Sequence, residues 1–369
     1  MKKLGFGLMR LPLLKGSEEI DVKQVNEMVD LFIKRGFTYF DTAYMYMNYK
    51  SECIAKECLV NRYPRDSFTI ASKLPTMQLK KVEDMERIFN EQLNKVGVNY
   101  FDYYLLHNLN TNTLVTANKL DAFSFVLKKQ KEGKIKHLGF SFHDKADLLE
   151  EILSKHPEFE LVQLQINYLD WDSPAIQSRL CYEVARKYNK KVIVMEPVKG
   201  GNLVNLPENV DILFHKFNKE ASNASWAIRF AASLEGIMVV LSGMSTLEQL
   251  NDNTSYMENF VPLNKEEKEI INRAQMLLTS NKEIGCTSCK YCVEGCPKHI
   301  PIPNYFALYN EAIKSEDNWH QRMYYNNLAK TNGKASDCIK CRKCERNCPQ
   351  HLPITDLLVK VKEKLEEQK

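Results

Sequence analysis

Eight of the chain's 11 cysteines form a repeated pattern near the C-terminus, and this pattern restricts the fold more than any other feature. Each copy has the spacing C-x2-C-x2-C-x3-C-P. The two copies comprise Cys286, Cys289, Cys292 and Cys296, and then Cys338, Cys341, Cys344 and Cys348. Three thiolates in one short loop suit three corners of an iron–sulfur cube, whereas the fourth cysteine, beside a proline, usually binds the other cube. The sequence therefore predicts two [4Fe-4S] clusters on crossed sets, with Cys348 completing the first set and Cys296 the second.

Two other uses of these cysteines are less compatible with the spacing. Structural zinc prefers two separated C-x2-4-C pairs, which the runs of four do not resemble. Disulfides need an oxidising compartment, and nothing in the sequence indicates secretion. The remaining cysteines lie in helical patterns and are expected to be small buried core residues: Cys53, Cys58 and Cys181.

The whole chain has the composition of a globular protein. Its 369 residues exceed the size at which one core usually keeps growing, so we expect two domains. The 51 basic and 47 acidic side chains are too balanced for a nucleic-acid partner. The longest apolar stretch, residues 236–244, is far too short to span a membrane. Arg10 and Pro12 interrupt the apolar run at the N-terminus, so we expect no export signal and a cytoplasmic protein.

The first three quarters of the chain alternate short β-rich runs with longer amphipathic segments. The runs are LGFGLM (4–9), FTYFD (37–41), FTIASK (68–73), FDYYLLH (101–107), KHLGFS (136–141), LVQLQIN (161–167), KVIVME (191–196) and IMVVLS (237–242). Alternation of this kind indicates βα units and a parallel sheet, and eight units close a TIM barrel. The fold class is therefore α/β, with a (β/α)8 barrel expected over residues 1–265.

The second domain is expected over residues 280–369, after a Lys- and Glu-rich helical pattern at 263–280. Its cysteine pattern resembles bacterial-type two-cluster ferredoxin modules. The residues between Cys296 and Cys338 are many and helix-like, which favours the mainly α-helical variant of such modules.

Polar residues end the strand candidates from the second onward. They are Asp41, Lys73, His107, Ser141, Gln163 with Asn167, Glu196 and Ser242. In a closed barrel these ends converge on one rim, where TIM-barrel active sites are built. Each residue alone could have an ordinary structural role, such as capping a loop or pairing a charge. Together they predict an active site.

Seven segments, in order and at matching intervals, resemble the successive motifs of the aldo-keto reductase superfamily. They are FDTAYMY (40–46), IASK (70–73), YLLH (104–107), GFSFH (139–143), VQLQIN (162–167), MEPVKGG (195–201) and GMSTLEQLNDN (243–253). With the cysteine-rich tail, the chain resembles the members of that superfamily that carry a C-terminal ferredoxin-type domain.

The resemblance implies a catalytic tetrad of Asp41, Tyr46, Lys73 and His107. Hydride addition to a carbonyl leaves an alkoxide that needs a proton, and an ordinary tyrosine is a weak acid. Lys73, oriented by Asp41, would lower the pKa of Tyr46, the general acid. His107 would polarise or orient the carbonyl.

The resemblance also implies a nicotinamide cofactor. Ser141 and Gln163 would hydrogen-bond the carboxamide, and the last loop would hold the adenosine end. The matching loop positions are Gly243, Ser245, Thr246, Gln249 and Asn253. Gln249 stands where NADPH-preferring members often have an arginine, so the choice between NAD and NADP stays open. Met195 stands where many members stack an aromatic ring, and Phe142 where an asparagine is frequent.

The resemblance favours a nicotinamide-dependent oxidoreductase acting on a small aldehyde, ketone or alcohol. Hydride transfer moves two electrons, clusters move one, and the sequence has no flavin motif to convert between them. A flavin or quinone as substrate therefore stays open. The alternative is an electron-transfer or redox-sensing module with the barrel as a docking scaffold. Several basic residues beside the cysteines suit any of four roles: offsetting the cluster charge, raising the cluster potential, docking an acidic electron carrier, or forming an ordinary solvated surface. They are Lys290, Lys298, Lys340, Arg342, Lys343 and Arg346.

Overall fold

The computed structural model describes residues 2–279, 283–313 and 318–366. Eight parallel strands close a barrel in sequential order, which confirms the predicted TIM-barrel fold. The strands are β1 (Leu4–Gly7), β2 (Tyr39–Asp41), β3 (Thr69–Leu74), β4 (Phe101–Leu109), β5 (Ile135–Phe142), β6 (Leu161–Gln165), β7 (Lys191–Met195) and β8 (Ile237–Ser242). Every predicted run therefore overlaps one of these strands.

Alternation along the strands separates an inner from an outer core. One set of side chains forms a buried cluster of its own: Tyr39, Ala71, Leu105, Leu161, Ile193, Val239 and Leu241. The residues between them pack into the larger core with the helices. Gly139 leaves the space that Leu161 needs, because a Cβ at this position would lie 2.2 Å from the Leu161 Cδ1 atom.

Helices follow the strands along the chain. They are Val22–Lys34, Ser51–Ala55, Val82–Val96, Thr111–Lys119, Ala122–Lys131, Ala146–Lys155, Ser178–Lys187, Glu208–Phe217, Asn223–Ala232, Leu247–Glu258 and Lys265–Thr279. Local sequence sets several ends. Asp21 caps the first helix by accepting a hydrogen bond from the backbone N of Gln24 at 3.0 Å. Gly97, with a φ of 75°, ends Val82–Val96 in the left-handed conformation.

The chain divides into two compact units, Met1–Val198 with Asp211–Arg273 and Lys199–Val210 with Ala274–Lys369. In the second unit the described helices are Ile302–Ala312, Trp319–Leu328, Lys343–Arg346 and Ile354–Leu365. They pack around an apolar core that includes the rings of Tyr305 and Tyr325, which contact each other at a tilt of 36°. This mainly helical character agrees with the predicted variant.

Some expectations differ from the structure or fall outside its described part. The segment 199–210 groups with the cysteine-rich unit, although its position in the sequence placed it in the barrel domain. The predicted domain start and helix end at residue 280 lie outside the described residues. The prediction that Cys53 is buried is wrong, because this thiol is exposed; Cys58 and Cys181 are buried as expected. None of the described helices has the length and hydropathy needed to cross a membrane.

Candidate active site and cluster-binding site

A buried ion pair joins the ends of β2 and β3. Lys73 Nζ lies 2.6 Å from Asp41 Oδ1 and also donates to the carbonyl of Thr42 at 2.8 Å. The two side chains are 0% and 3% exposed. Burial raises the pKa of Asp41 and lowers that of Lys73, while their mutual attraction opposes both shifts. Keeping these two charges away from water therefore costs a large desolvation free energy.

Tyr46 and His107 lie against this pair. Tyr46 begins the helical turn Tyr46–Tyr49, in which Met47 and Asn48 have left-handed backbone angles. Lys73 Nζ is 4.8 Å from the centre of the Tyr46 ring. The His107 ring meets the Tyr46 ring edge-on, with 5.9 Å between their centres. The structure thus brings all four residues of the expected tetrad together.

The pKa of Tyr46 runs opposite to the sequence-based expectation. Burial raises it well above its ordinary value, the negative charges of Asp41 and Glu196 add to the rise, and Arg10 opposes it. The physical reason is mainly the burial of the phenol, which disfavours its charged form. Tyr46 is therefore a protonated phenol at neutral pH, as a proton donor must be.

His107 is an uncharged imidazole in this environment. Burial lowers its pKa well below the ordinary value, and the charges of Lys73 and His143 add to the shift. Within the described parts of the chain, His107 Nδ1 is buried and has no hydrogen-bond partner. A neutral imidazole with one uncommitted nitrogen can donate to or accept from a small polar molecule.

A second buried acid supports the Lys73 backbone. Glu52 Oε1 accepts hydrogen bonds from Ser72 Oγ at 2.7 Å and Gln92 Nε2 at 2.6 Å. Gln92 Nε2 also donates to the Lys73 carbonyl at 3.1 Å, and its Oε1 accepts from Tyr104. This network fixes the strand that carries Lys73. Glu52 lies outside the sequence motifs, so the sequence did not indicate it.

Ser141 and Gln163 face each other on neighbouring strands. They are register partners of β5 and β6, and both are buried. Gln163 Nε2 donates to Met195 Sδ at 3.5 Å, which places Met195 beside the two predicted carboxamide ligands. Gln163 Oε1 is buried without a hydrogen-bond partner among the described residues. An amide oxygen in this state suits a donor such as a carboxamide N–H, so the residues fit a nicotinamide.

Hydrogen bonds of its own side chains hold the last loop, residues 243–253, in shape. Ser245 N donates to Gln249 Oε1 at 2.7 Å, and Thr246 caps the helix Leu247–Glu258. Asn253 donates to Ser242 Oγ at 3.1 Å and accepts from Tyr256. These predicted ligands therefore shape the loop, whose helix N-terminus could receive an anionic group.

Arg10 is a residue of this region that the sequence did not indicate. Its side chain lies against Gly243, because a Cβ built on that glycine would be 3.3 Å from the Arg10 Cβ. Ser245 Oγ donates to the Arg10 carbonyl at 2.8 Å. A basic residue from the loop after β1 therefore accompanies a loop that has none of its own.

The eight cysteines line two cavities. The first cavity is lined by Cys286, Cys289, Cys292 and Cys348. The second cavity is lined by Cys296, Cys338, Cys341 and Cys344. None of these cysteines forms a disulfide. Each cavity is thus lined by four thiols, three from one motif and the last one from the other. These are the crossed sets expected from the spacing, so the residues fit two clusters.

The environment of Cys348 suits a cluster ligand. Burial raises its pKa, while the backbone N–H groups of Leu352, Gln350 and His351 and the charge of Lys199 act in the opposite direction. Lys199 Nζ is itself buried and donates to Gln350 Oε1 at 3.0 Å. N–H groups directed at a sulfur, and a nearby cation, stabilise the thiolate form.

Comparison with known proteins agrees with both parts of the chain. The Aldo/keto reductase family profile matches residues 3–275, and the 4Fe-4S dicluster domain profile matches residues 285–352. An aldo-keto reductase from Klebsiella pneumoniae in complex with NADPH is 19% identical, with a TM-score of 0.56 over 73% of this chain and 90% of that chain. The holo form of aldo-keto reductase AKR11C1 from Bacillus halodurans is 21% identical, with a TM-score of 0.58 over 74% of this chain and 91% of that chain. At this identity these two structures show the common fold, and the family match shows that the chain belongs to the aldo/keto reductase family, with a 4Fe-4S dicluster domain after its barrel.

Proposed function

We propose that the barrel is a nicotinamide-dependent oxidoreductase for a small aldehyde, ketone or alcohol. One observation carries the proposal: the buried Lys73–Asp41 pair lies against the ring of Tyr46, which also meets the ring of the uncharged His107. A buried ion pair is costly to maintain and contributes little to stability. Beside a phenol and an imidazole at the carboxyl ends of three barrel strands, it is best explained by catalysis.

Each residue has a distinct task in carbonyl reduction. The bound cofactor would supply the hydride, and Ser141 and Gln163 would hold its carboxamide. Tyr46 donates its phenolic proton to the oxygen that gains negative charge, and His107 hydrogen-bonds and orients the same oxygen. Lys73, fixed by Asp41, stabilises the phenolate that Tyr46 becomes. In alcohol oxidation the proton moves back, so Tyr46 must start as the phenolate.

We assign one [4Fe-4S] cluster to each cysteine cavity. The clusters would exchange single electrons with a partner, while the barrel handles the two-electron step. The crossed membership of the two cavities supports this assignment, because each one collects three cysteines from one motif and the last cysteine of the other.

Tyr46→Phe tests the catalytic assignment. The variant keeps the ring and removes the hydroxyl, so NAD(P)H-dependent carbonyl reduction should fall by about 100-fold or more. Nicotinamide affinity and iron content should stay unchanged. Tyr44→Phe is the matched control, because its hydroxyl donates to Glu91 at 3.0 Å and has no task in the proposal. If Tyr46→Phe retains the activity of the wild type, the tetrad is not catalytic. Reversible cluster reduction without nicotinamide binding would instead support the electron-transfer module.

A further inference from the structure

Other parts of the second unit cover the first cysteine cavity more than they cover the second. At the first cavity, Asn202 Nδ2 donates to the Cys286 carbonyl at 3.3 Å. A Cβ on Gly200 would lie 2.7 Å from the Thr287 carbonyl oxygen, so the backbone approaches closely here. The segment 199–210 therefore packs on the loop that carries the first motif, and Thr287 is buried.

The loop of the second motif is open to solvent instead. Cys341 is exposed, and Ile339 beside it has 58% of its surface accessible. Large apolar side chains at this exposure are unremarkable when alone, but this one stands next to a cavity lined by thiols.

Positive charge surrounds this open loop. Five exposed basic residues, here called the basic face, lie in or next to the second motif or line the second cavity: Lys298, Lys340, Arg342, Lys343 and Arg346. Within the described ranges only Arg342 among them has an ion pair, at 3.8 Å from Glu345.

Two acidic residues lie in or next to the second motif, and both accept local hydrogen bonds. Glu345 Oε1 accepts from Thr355 N and Oγ1 at 2.8 and 2.7 Å. Asp337 Oδ2 accepts from the backbone N of Lys334 at 2.8 Å. Both carboxylates keep their negative charge, but the five cations of the basic face outnumber them, so the surface around the second motif is net positive.

We propose that the second cavity is the exchange point for external electrons, and that the basic face docks a small acidic one-electron carrier protein. The inference rests on the proposed function only in taking the clusters to be redox-active. A cluster exchanges electrons fastest through its least covered side, and opposite charges raise the rate of encounter between proteins. Ile339, which precedes Lys340 and lines the second cavity, supplies an exposed apolar contact.

The test uses the iron-loaded full chain and, as probe, a chemically reduced acidic plant-type [2Fe-2S] ferredoxin. Stopped-flow absorbance gives the second-order rate of electron transfer, and calorimetry gives the affinity at several salt concentrations. The variant combines Lys340→Glu, Lys343→Glu and Arg346→Glu. The matched control combines Lys330→Glu, Lys360→Glu and Lys362→Glu, which change the net charge equally at exposed positions of the same unit.

We expect the basic-face variant to transfer electrons at least about tenfold more slowly at low salt, with weaker binding and a flattened salt dependence. The control should stay within about threefold of the wild type. Iron content and visible spectrum, measured on both variants, show whether the clusters are intact. Equal losses in both variants, or no loss in either, would overturn the proposal. Carbonyl reduction is assayed separately, so a failure of the proposed barrel chemistry would leave this result interpretable.

Discussion

The Lys73→Met variant should show how the buried ion pair affects the free energy of unfolding, separately from its contribution to catalysis. The variant leaves Asp41 buried and unpaired, since its side chain is 3% exposed and Lys73 is its ion-pair partner at 2.6 Å. Breaking a buried pair in this way costs about 3 to 5 kcal/mol. Because burial already raises the pKa of Asp41, this carboxyl can escape the cost by taking up a proton. The destabilisation should therefore shrink as the pH falls, by roughly 1.4 kcal/mol per pH unit while Asp41 titrates.

The double variant Asp41→Asn with Lys73→Met supplies the control. It removes both charges, so its cost should be below about 2 kcal/mol and independent of pH. Urea unfolding followed by tryptophan fluorescence measures these differences in the barrel, where Trp226 is fully buried. Carbonyl reduction should nevertheless be about 100-fold lower in both variants. A double variant as unstable as Lys73→Met, or one with the activity of the wild type, would refute the reasoning.

Four further predictions concern the cofactor, the proton donor and the clusters. Because the pKa of Tyr46 is raised, carbonyl reduction should change little between about pH 7 and about pH 9, whereas alcohol oxidation should increase by up to tenfold per pH unit; identical profiles would contradict the assigned role. The ratio of kcat/KM for NADPH over NADH should stay below about a thousandfold, which is ~4 kcal/mol, and Arg10→Met should lower it further. Cys296→Ala should damage the cluster that Cys338 helps to hold, which resonance spectroscopy distinguishes; loss of the other cluster alone would show that the sets are not crossed. Lys199→Met removes a cation near Cys348 and should lower the midpoint potential of the cluster that Cys348 helps to hold by about 60 mV, which is a tenfold change in the equilibrium constant of a one-electron reduction. A redox titration with an unchanged midpoint would contradict this role of Lys199.

The tetrad could be anticipated because its geometry follows from the fold. Asp41, Lys73 and His107 lie on three consecutive strands, and closure of the barrel necessarily brings their carboxyl ends to one rim. The set of cysteines that lines each cavity could likewise be anticipated. Three closely spaced cysteines in one loop bind one cluster, and the fourth ligand of that cluster comes from the other motif.

Other features depend on paths of loops that no local pattern specifies. Arg10 reaches Gly243, and Lys199 reaches Gln350, across more than a hundred residues of sequence. The raised pKa of Tyr46 could not be predicted for a related reason. Desolvation depends on how completely the surrounding loops exclude water, which residue identity does not reveal.

Iron and acid-labile sulfide analysis of anaerobically purified protein tests the central claim, that an aldo-keto reductase barrel and two clusters work in one chain. About eight irons and eight sulfides per chain are expected, four of each for every cysteine cavity. Stoichiometric zinc, or fewer than about four irons after reconstitution, would contradict the account.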